Sequence, residues 1–107
     1  QEFGYNAIRI PLYLVRAGSR DRAMLGTFQR NMADAQGNVR LVDIMTGTTR
    51  QTLTDPGYRA IPALIACVLD RTPLSEDLKV FNATDYYPST LHLLSLSFLR
   101  RRHPECL

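Results

Sequence analysis

Ten consecutive residues, Ala60 to Leu69, read Ala-Ile-Pro-Ala-Leu-Ile-Ala-Cys-Val-Leu and put no polar side chain on any side of a helix. A helix that is apolar all round needs neighbours all round, because each uncovered face leaves hydrocarbon in water. This stretch must therefore sit at the centre of whatever forms. Asp55-Pro56-Gly57 offers a cap or turn residue followed by a proline tolerated in a first helical turn. Pro62 would break an established helix, so the first turn is expected near Arg59 to Pro62. Arg71-Thr72-Pro73-Leu74 closes the element.

Two other stretches are nearly as apolar. In Gly4 to Gly18, read as a helix, Tyr5, Asn6, Arg9, Tyr13 and Arg16 fall within one arc of roughly 100°. Ala7, Ile8, Ile10, Leu12, Leu14 and Val15 fill the rest of the circumference. Such a helix is buried on most sides and presents one polar, aromatic stripe. Buried amide and guanidinium groups without partners are costly, so the stripe must line a cleft or join a polar network. The last helix starts near Thr84-Asp85 and runs to Leu99, with its Ser and Thr residues scattered around it. Small hydroxyls can return their hydrogen bonds to the backbone one turn earlier, which permits burial without a polar face. His92, with no Cys, Asp or second His at helical spacing, reads as a packed residue and not a metal ligand.

The intervening segments are of other kinds. Ala17-Gly18-Ser19 is a stop, with Gly18 at the helix end and Ser19 as the next N-cap. Arg20 to Gln36 carries Met24, Leu25, Phe28 and Met32 on one side and charges on the others, which predicts an outer, amphipathic helix in which Asp21 and Asp34 are surface charges. Val39 to Ile44 and Thr48 to Leu53 are β-prone and flank Thr46-Gly47, predicting a small hairpin or irregular excursion near residues 38–54. Asp43 within it is the one carboxylate of an apolar run. Ser75-Glu76-Asp77 has the look of a cap and acidic first turn for a short helix to about Phe81.

Buried, amphipathic, buried, short connector, buried is the order that inner and outer layers of helices require. At 107 residues the chain suffices for one small domain. Three nearly all-apolar helices with one long amphipathic partner cannot cover one another, which predicts that they belong to a larger domain. Twelve arginines and one lysine against ten acids give a net charge of +3. The run Arg100-Arg101-Arg102 reads as a complement to a helix C-terminus, not as a nucleic-acid patch. No apolar run approaches a membrane span, and no cofactor or metal motif is present. Cys67 lies in the apolar run and Cys106 in the tail; the pattern leaves open a small core thiol or a Cys67–Cys106 disulfide, the latter suited to a secreted or periplasmic protein.

Phe3-Gly4-Tyr5-Asn6-Ala7-Ile8-Arg9-Ile10-Pro11 resembles the segment F-G-Y-D-A-x-R-x-P of glycoside hydrolase family 8, most closely the bacterial endoglucanases associated with cellulose synthesis. Tyr86-Tyr87-Pro88-Ser89-Thr90-Leu91 is similar to the start of that family's final inner helix. The resemblance implies an all-α fold, the C-terminal part of an (α/α)6 barrel, with residues 1–107 a portion of one catalytic domain. It implies an inverting endo-β-1,4-glucanase in a periplasmic or secreted setting, partnered by β-1,4-glucan, by the N-terminal part of the same domain and by cellulose-synthesis machinery, with no cofactor, metal, nucleic acid or membrane span.

Inverting glycosidases use one carboxyl group as acid and a second as base. By the resemblance, Asn6 stands where the base aspartate belongs, and the acid lies before Gln1. An amide can position water but cannot take its proton. An engineered knock-out, a natural member drawing its base from elsewhere, and a relative that only binds glucan all remain open. The resemblance further makes Tyr5 and Arg9 sugar contacts beside the scissile bond, Tyr87 or Tyr86 an aromatic wall, and Tyr13 a further contact. A free-standing helical interaction module is the alternative.

Overall fold

Asp55 leads with extended backbone into a helix that begins at Pro56, and in a computed structural model of the chain this helix is the axis on which the other elements pack. The structure describes residues 8–42, 46 and 49–107. Their order is α1 (Ile10–Arg16), α2 (Arg22–Met32), β1 (Val39–Val42), β2 (Thr49–Leu53), α3 (Pro56–Asp70), α4 (Glu76–Lys79), α5 (Tyr86–Arg102) and a closing 3-10 turn, Pro104–Cys106. The molecule is mostly helical with one two-stranded antiparallel sheet, as the sequence pattern predicts. Its radius of gyration is 12.8 Å, close to the ~13 Å of a compact chain near this length.

The core is built on α3. Ala60, Ile61, Leu64, Ile65 and Cys67 are fully buried, and α5 lies along them with Leu91, Leu96, Phe98 and Leu99. The two helices come into backbone contact where Gly57 meets Pro88, since a Cβ at Gly57 would collide with the Pro88 carbonyl. Leu12 and Val15 of α1 and Leu25 and Met32 of α2 complete the core from the other sides. In the hairpin Val39 pairs with Leu53 and Leu41 with Gln51, and Val39, Leu41 and Leu53 are all buried, so one face of the strands seals the core. The register slips between Leu41 and Val42.

Several local expectations are corrected. Pro62 does not delay the helix: α3 starts at Pro56 and carries Pro62 in its interior, where the ring is buried. One backbone rung is forgone there, and the burial on both sides of it outweighs that loss. The N-cap of α2 is Asp21, whose carboxylate accepts from the Met24 N–H at 3.0 Å, while Ser19 Oγ accepts from the Asp21 N–H at 3.4 Å. That helix stops at Met32, four residues before Gln36, because Asp34 gathers the chain into a turn. Its carboxylate accepts from the backbone N–H groups of Gln36 and Asn38, both at 2.9 Å. Gly18, with φ of +96°, does end α1: the Gly18 N–H bonds to the Val15 carbonyl and the Ser19 N–H to the Leu14 carbonyl, both at 3.0 Å.

Cys67 and Cys106 form a disulfide, Cα to Cα 6.2 Å, which staples the C-terminal turn to the last turn of α3. The same corner is held by the Leu74 N–H on the Cys106 carbonyl at 2.9 Å and by Arg71 Nη1 on Glu105 Oε2 at 3.0 Å. His92 is a packed residue, fully buried, with Nε2 2.8 Å from the Leu78 carbonyl.

Candidate functional site

Arg9 and Tyr13 stand one turn apart, and the Tyr13 N–H bonds to the Arg9 carbonyl at 3.1 Å. Arg9 is the N-cap residue of α1 and Pro11 lies in its first turn. With Leu12 and Val15 drawn into the core, Arg9, Tyr13 and Arg16 are left on the outer face, as their spacing predicts. Ile10 departs from expectation, since it too faces out, 41% exposed. The Arg9 guanidinium lies 6.0 Å from the centroid of the Tyr13 ring, at the edge of cation–π range.

Tyr87 joins this pair from the other end of the chain. It is the second residue of α5, half-buried, and its hydroxyl is pushed above the ordinary tyrosine range, chiefly by burial. The Arg9 charge opposes that shift and Tyr13 reinforces it, so both groups lie within electrostatic reach of the phenol. Behind Tyr87 stands Tyr58 of α3, its ring centroid 6.1 Å away and its plane tilted by 65°, a favoured edge-to-face arrangement. Pro88, buried beside Gly57, fixes where α5 begins, and the Thr84 N–H on Ser89 Oγ at 2.7 Å ties the preceding loop to it.

Three of the residues singled out by sequence thus converge: Arg9, Tyr13 and Tyr87. Tyr86 does not join them; about 100° round the helix from Tyr87, its side chain is 85% exposed to solvent. Tyr5, Asn6 and Asp43 lie outside the described residues. Sequence reasoning missed Tyr58, although an aromatic in the first turn of an otherwise apolar helix was a signal that it marks a boundary of the core. Chemically the cluster offers aromatic faces, phenolic hydroxyls and a guanidinium, a set that suits a neutral polyhydroxylated ligand: rings stack on C–H faces and the guanidinium donates to hydroxyls.

A larger groove of about 810 Å³ lies elsewhere, between α2 and α3, and shares no residue with this cluster. Ala63, Ala66 and Leu69 of α3 give it an apolar floor, and Arg30, Arg59 and Asp70 stand at its sides. Among the described residues no group of three or more His, Cys, Asp or Glu side chains is placed to hold a metal ion, and no helix is long and apolar enough to cross a membrane.

Comparison with known proteins gives a short answer. No protein-family model, curated protein or solved structure matches the chain.

Proposed function

We propose that the chain is part of an inverting endo-β-1,4-glucanase and that Arg9, Tyr13 and Tyr87 form part of the floor of its glucan cleft. What supports the reading is that two segments about 75 residues apart, those that resemble glycoside hydrolase family 8, come within electrostatic reach of one another at Arg9, Tyr13 and Tyr87. A second feature is in keeping with a place in an (α/α)6 barrel: the apolar strip Ala63, Ala66 and Leu69, open to the groove, is the face an inner helix would turn to the next helix of such a barrel. In this reading Arg9 donates to sugar hydroxyls, Tyr87 stacks under a pyranose ring, and Asn6 holds water at the position of the missing base. The disulfide fits a periplasmic or secreted setting.

The test is Asn6→Asp in the complete polypeptide, assayed on β-1,4-glucan with the anomer of the product read by NMR. A carboxylate in place of an amide restores general-base catalysis, so hydrolysis rises at least about tenfold with inversion. An unchanged rate means the base lies elsewhere; retention of configuration rejects the inverting mechanism.

A helical interaction module is the second reading, favoured by the continuous core and its disulfide staple. It predicts no affinity for cello-oligosaccharides.

A further inference from the structure

A small recess opens at the other end of α1 from the tyrosine cluster, between the α1–α2 turn and the C-terminal end of α5. Its volume is about 70 Å³, roughly twice the ~30 Å³ share of a water molecule in the liquid. Val15, Val68 and Phe98 form an apolar back wall. The polar lining comes from Ser19, Arg20, Arg102 and His103, and no carboxylate is among the residues that line it.

Ser19, Arg20 and Arg102 have donor capacity to spare. Ser19 Oγ spends an acceptor site on the Asp21 N–H, which leaves its own O–H free to donate. Arg20 and Arg102 make no ion pair or side-chain hydrogen bond among the described residues, unlike Arg22, Arg59 and Arg71, which are paired with Asp70, Asp77 and Glu105. His103 is only 5% exposed, and its Nδ1 lies 3.3 Å from Glu105 Oε2. That contact occupies Nδ1, and the residue also borders the recess. The acids nearest in the chain are committed: Asp21 caps α2, Asp70 takes Arg22, and Glu105 takes Arg71 as well as His103.

The C-termini of α1 and α5 lie at this end of the molecule and bring a partial negative charge of about half a unit each. Arginines in the last turn of α5 would serve that charge from the open surface, as Arg100 can. Dipole complementation does not explain why Ser19, Arg20, Arg102 and His103 are gathered round one recess. Two guanidiniums and a hydroxyl around a volume this small match a compact anion with several acceptor oxygens.

We propose that this recess binds a tetrahedral oxyanion, phosphate or sulfate, either as the free ion or as the head of a phosphomonoester. The site is independent of the glucan reading. Glu105 from the 3-10 turn and the ring of Phe98 flank His103, while Arg102 from α5 and Arg20 from the α1–α2 turn border the recess itself.

The experiment is a calorimetric titration of the complete protein with inorganic phosphate, with ionic strength held constant by sodium chloride. Saturable binding to one site is expected, by phosphate and by sulfate alike. The pair Arg20→Gln and Arg102→Gln weakens binding at least about tenfold, the equivalent of one charge-assisted hydrogen bond. The pair Arg16→Gln and Arg100→Gln removes the same charge outside the recess and changes binding less than about twofold. Absence of saturable binding above the chloride control, or equal loss from both pairs, overturns the proposal. Phenyl phosphate separates the two sources: affinity near that of phosphate assigns the ester head, and exclusion assigns the free ion, the oxyanion site standing in both cases.

Discussion

At the scale of single residues, two glycines on neighbouring helices give opposite expectations from the same substitution. Gly57 faces the Pro88 backbone, which has nowhere to move, so Gly57→Ala pushes α3 and α5 apart. Overpacking of that kind costs about 1–3 kcal/mol or more. An added Cβ at Gly26 meets only Arg30 Nη1 at 3.3 Å, the far end of a flexible side chain. Gly26→Ala therefore stabilises, by up to about 1 kcal/mol through the unfolded chain and helix propensity. Thermal melts of the two variants check both signs. Asp77 sets an acid limit. The Ser75 hydroxyl first, then Arg59, whose Nη2 lies 2.8 Å from Asp77 Oδ2, hold its carboxyl below the usual range. A lowered folded-state pKa contributes stability that is full above the unfolded value near ~3.9 and disappears as pH falls through the folded value. Because the Asp77 side chain is 55% exposed, the pair is worth at most about 1 kcal/mol after screening. In urea titrations Asp77→Asn is expected to lose stability against the parent near neutral pH and to match it in acid, once the parent's Asp77 carboxyl is protonated in the folded as well as the unfolded chain.

At the scale of elements, the disulfide decides how the C-terminal turn sits. It closes a loop across 39 positions, worth about 4 kcal/mol on the chain-entropy view. Cys106→Ser is expected to lower the urea midpoint by a corresponding amount and to loosen the 71–78 segment, because Leu74 hangs on the Cys106 carbonyl; hydrogen exchange at Leu74 reads the second effect. The helices were legible from periodicity and the hairpin from its β-prone residues around Thr46-Gly47; Leu25 and Met32 on α2 point to the core as their spacing requires, and so do Val39, Leu41 and Leu53 on the strands. The boundaries were less so. Ser19 and Asp21 are both good caps, and only the course of the chain chooses Asp21. Pro62 obeys burial over its own propensity. Of the scattered hydroxyls on α5, Thr90 does return a bond to the Tyr86 carbonyl at 2.9 Å, but Ser95 Oγ is buried without a partner, as is His92 Nδ1 one turn before it.

At the scale of the whole molecule, the candidate site depends on α1 and α5 being brought together over α3. The face shared by Arg9 and Tyr13 could be read from helical spacing, because that relation is local. Which of two adjacent tyrosines turns toward them could not, since it depends on the rotation of α5 set by the Gly57–Pro88 contact. Tyr58 escaped for a like reason: its neighbour across the interface lies nearly thirty residues away.

The most direct measurement is calorimetric titration of the complete polypeptide with cellohexaose, comparing Arg9→Ala, Tyr87→Ala and Tyr86→Ala after circular dichroism has established that each is folded. Arg9→Ala and Tyr87→Ala should each weaken binding at least about tenfold, as loss of a buried stacking or charged contact does, whereas Tyr86→Ala, its side chain in solvent, should change it less than about twofold. Equal losses at Tyr86 and Tyr87, or cellohexaose binding untouched by either Arg9→Ala or Tyr87→Ala, would contradict the account.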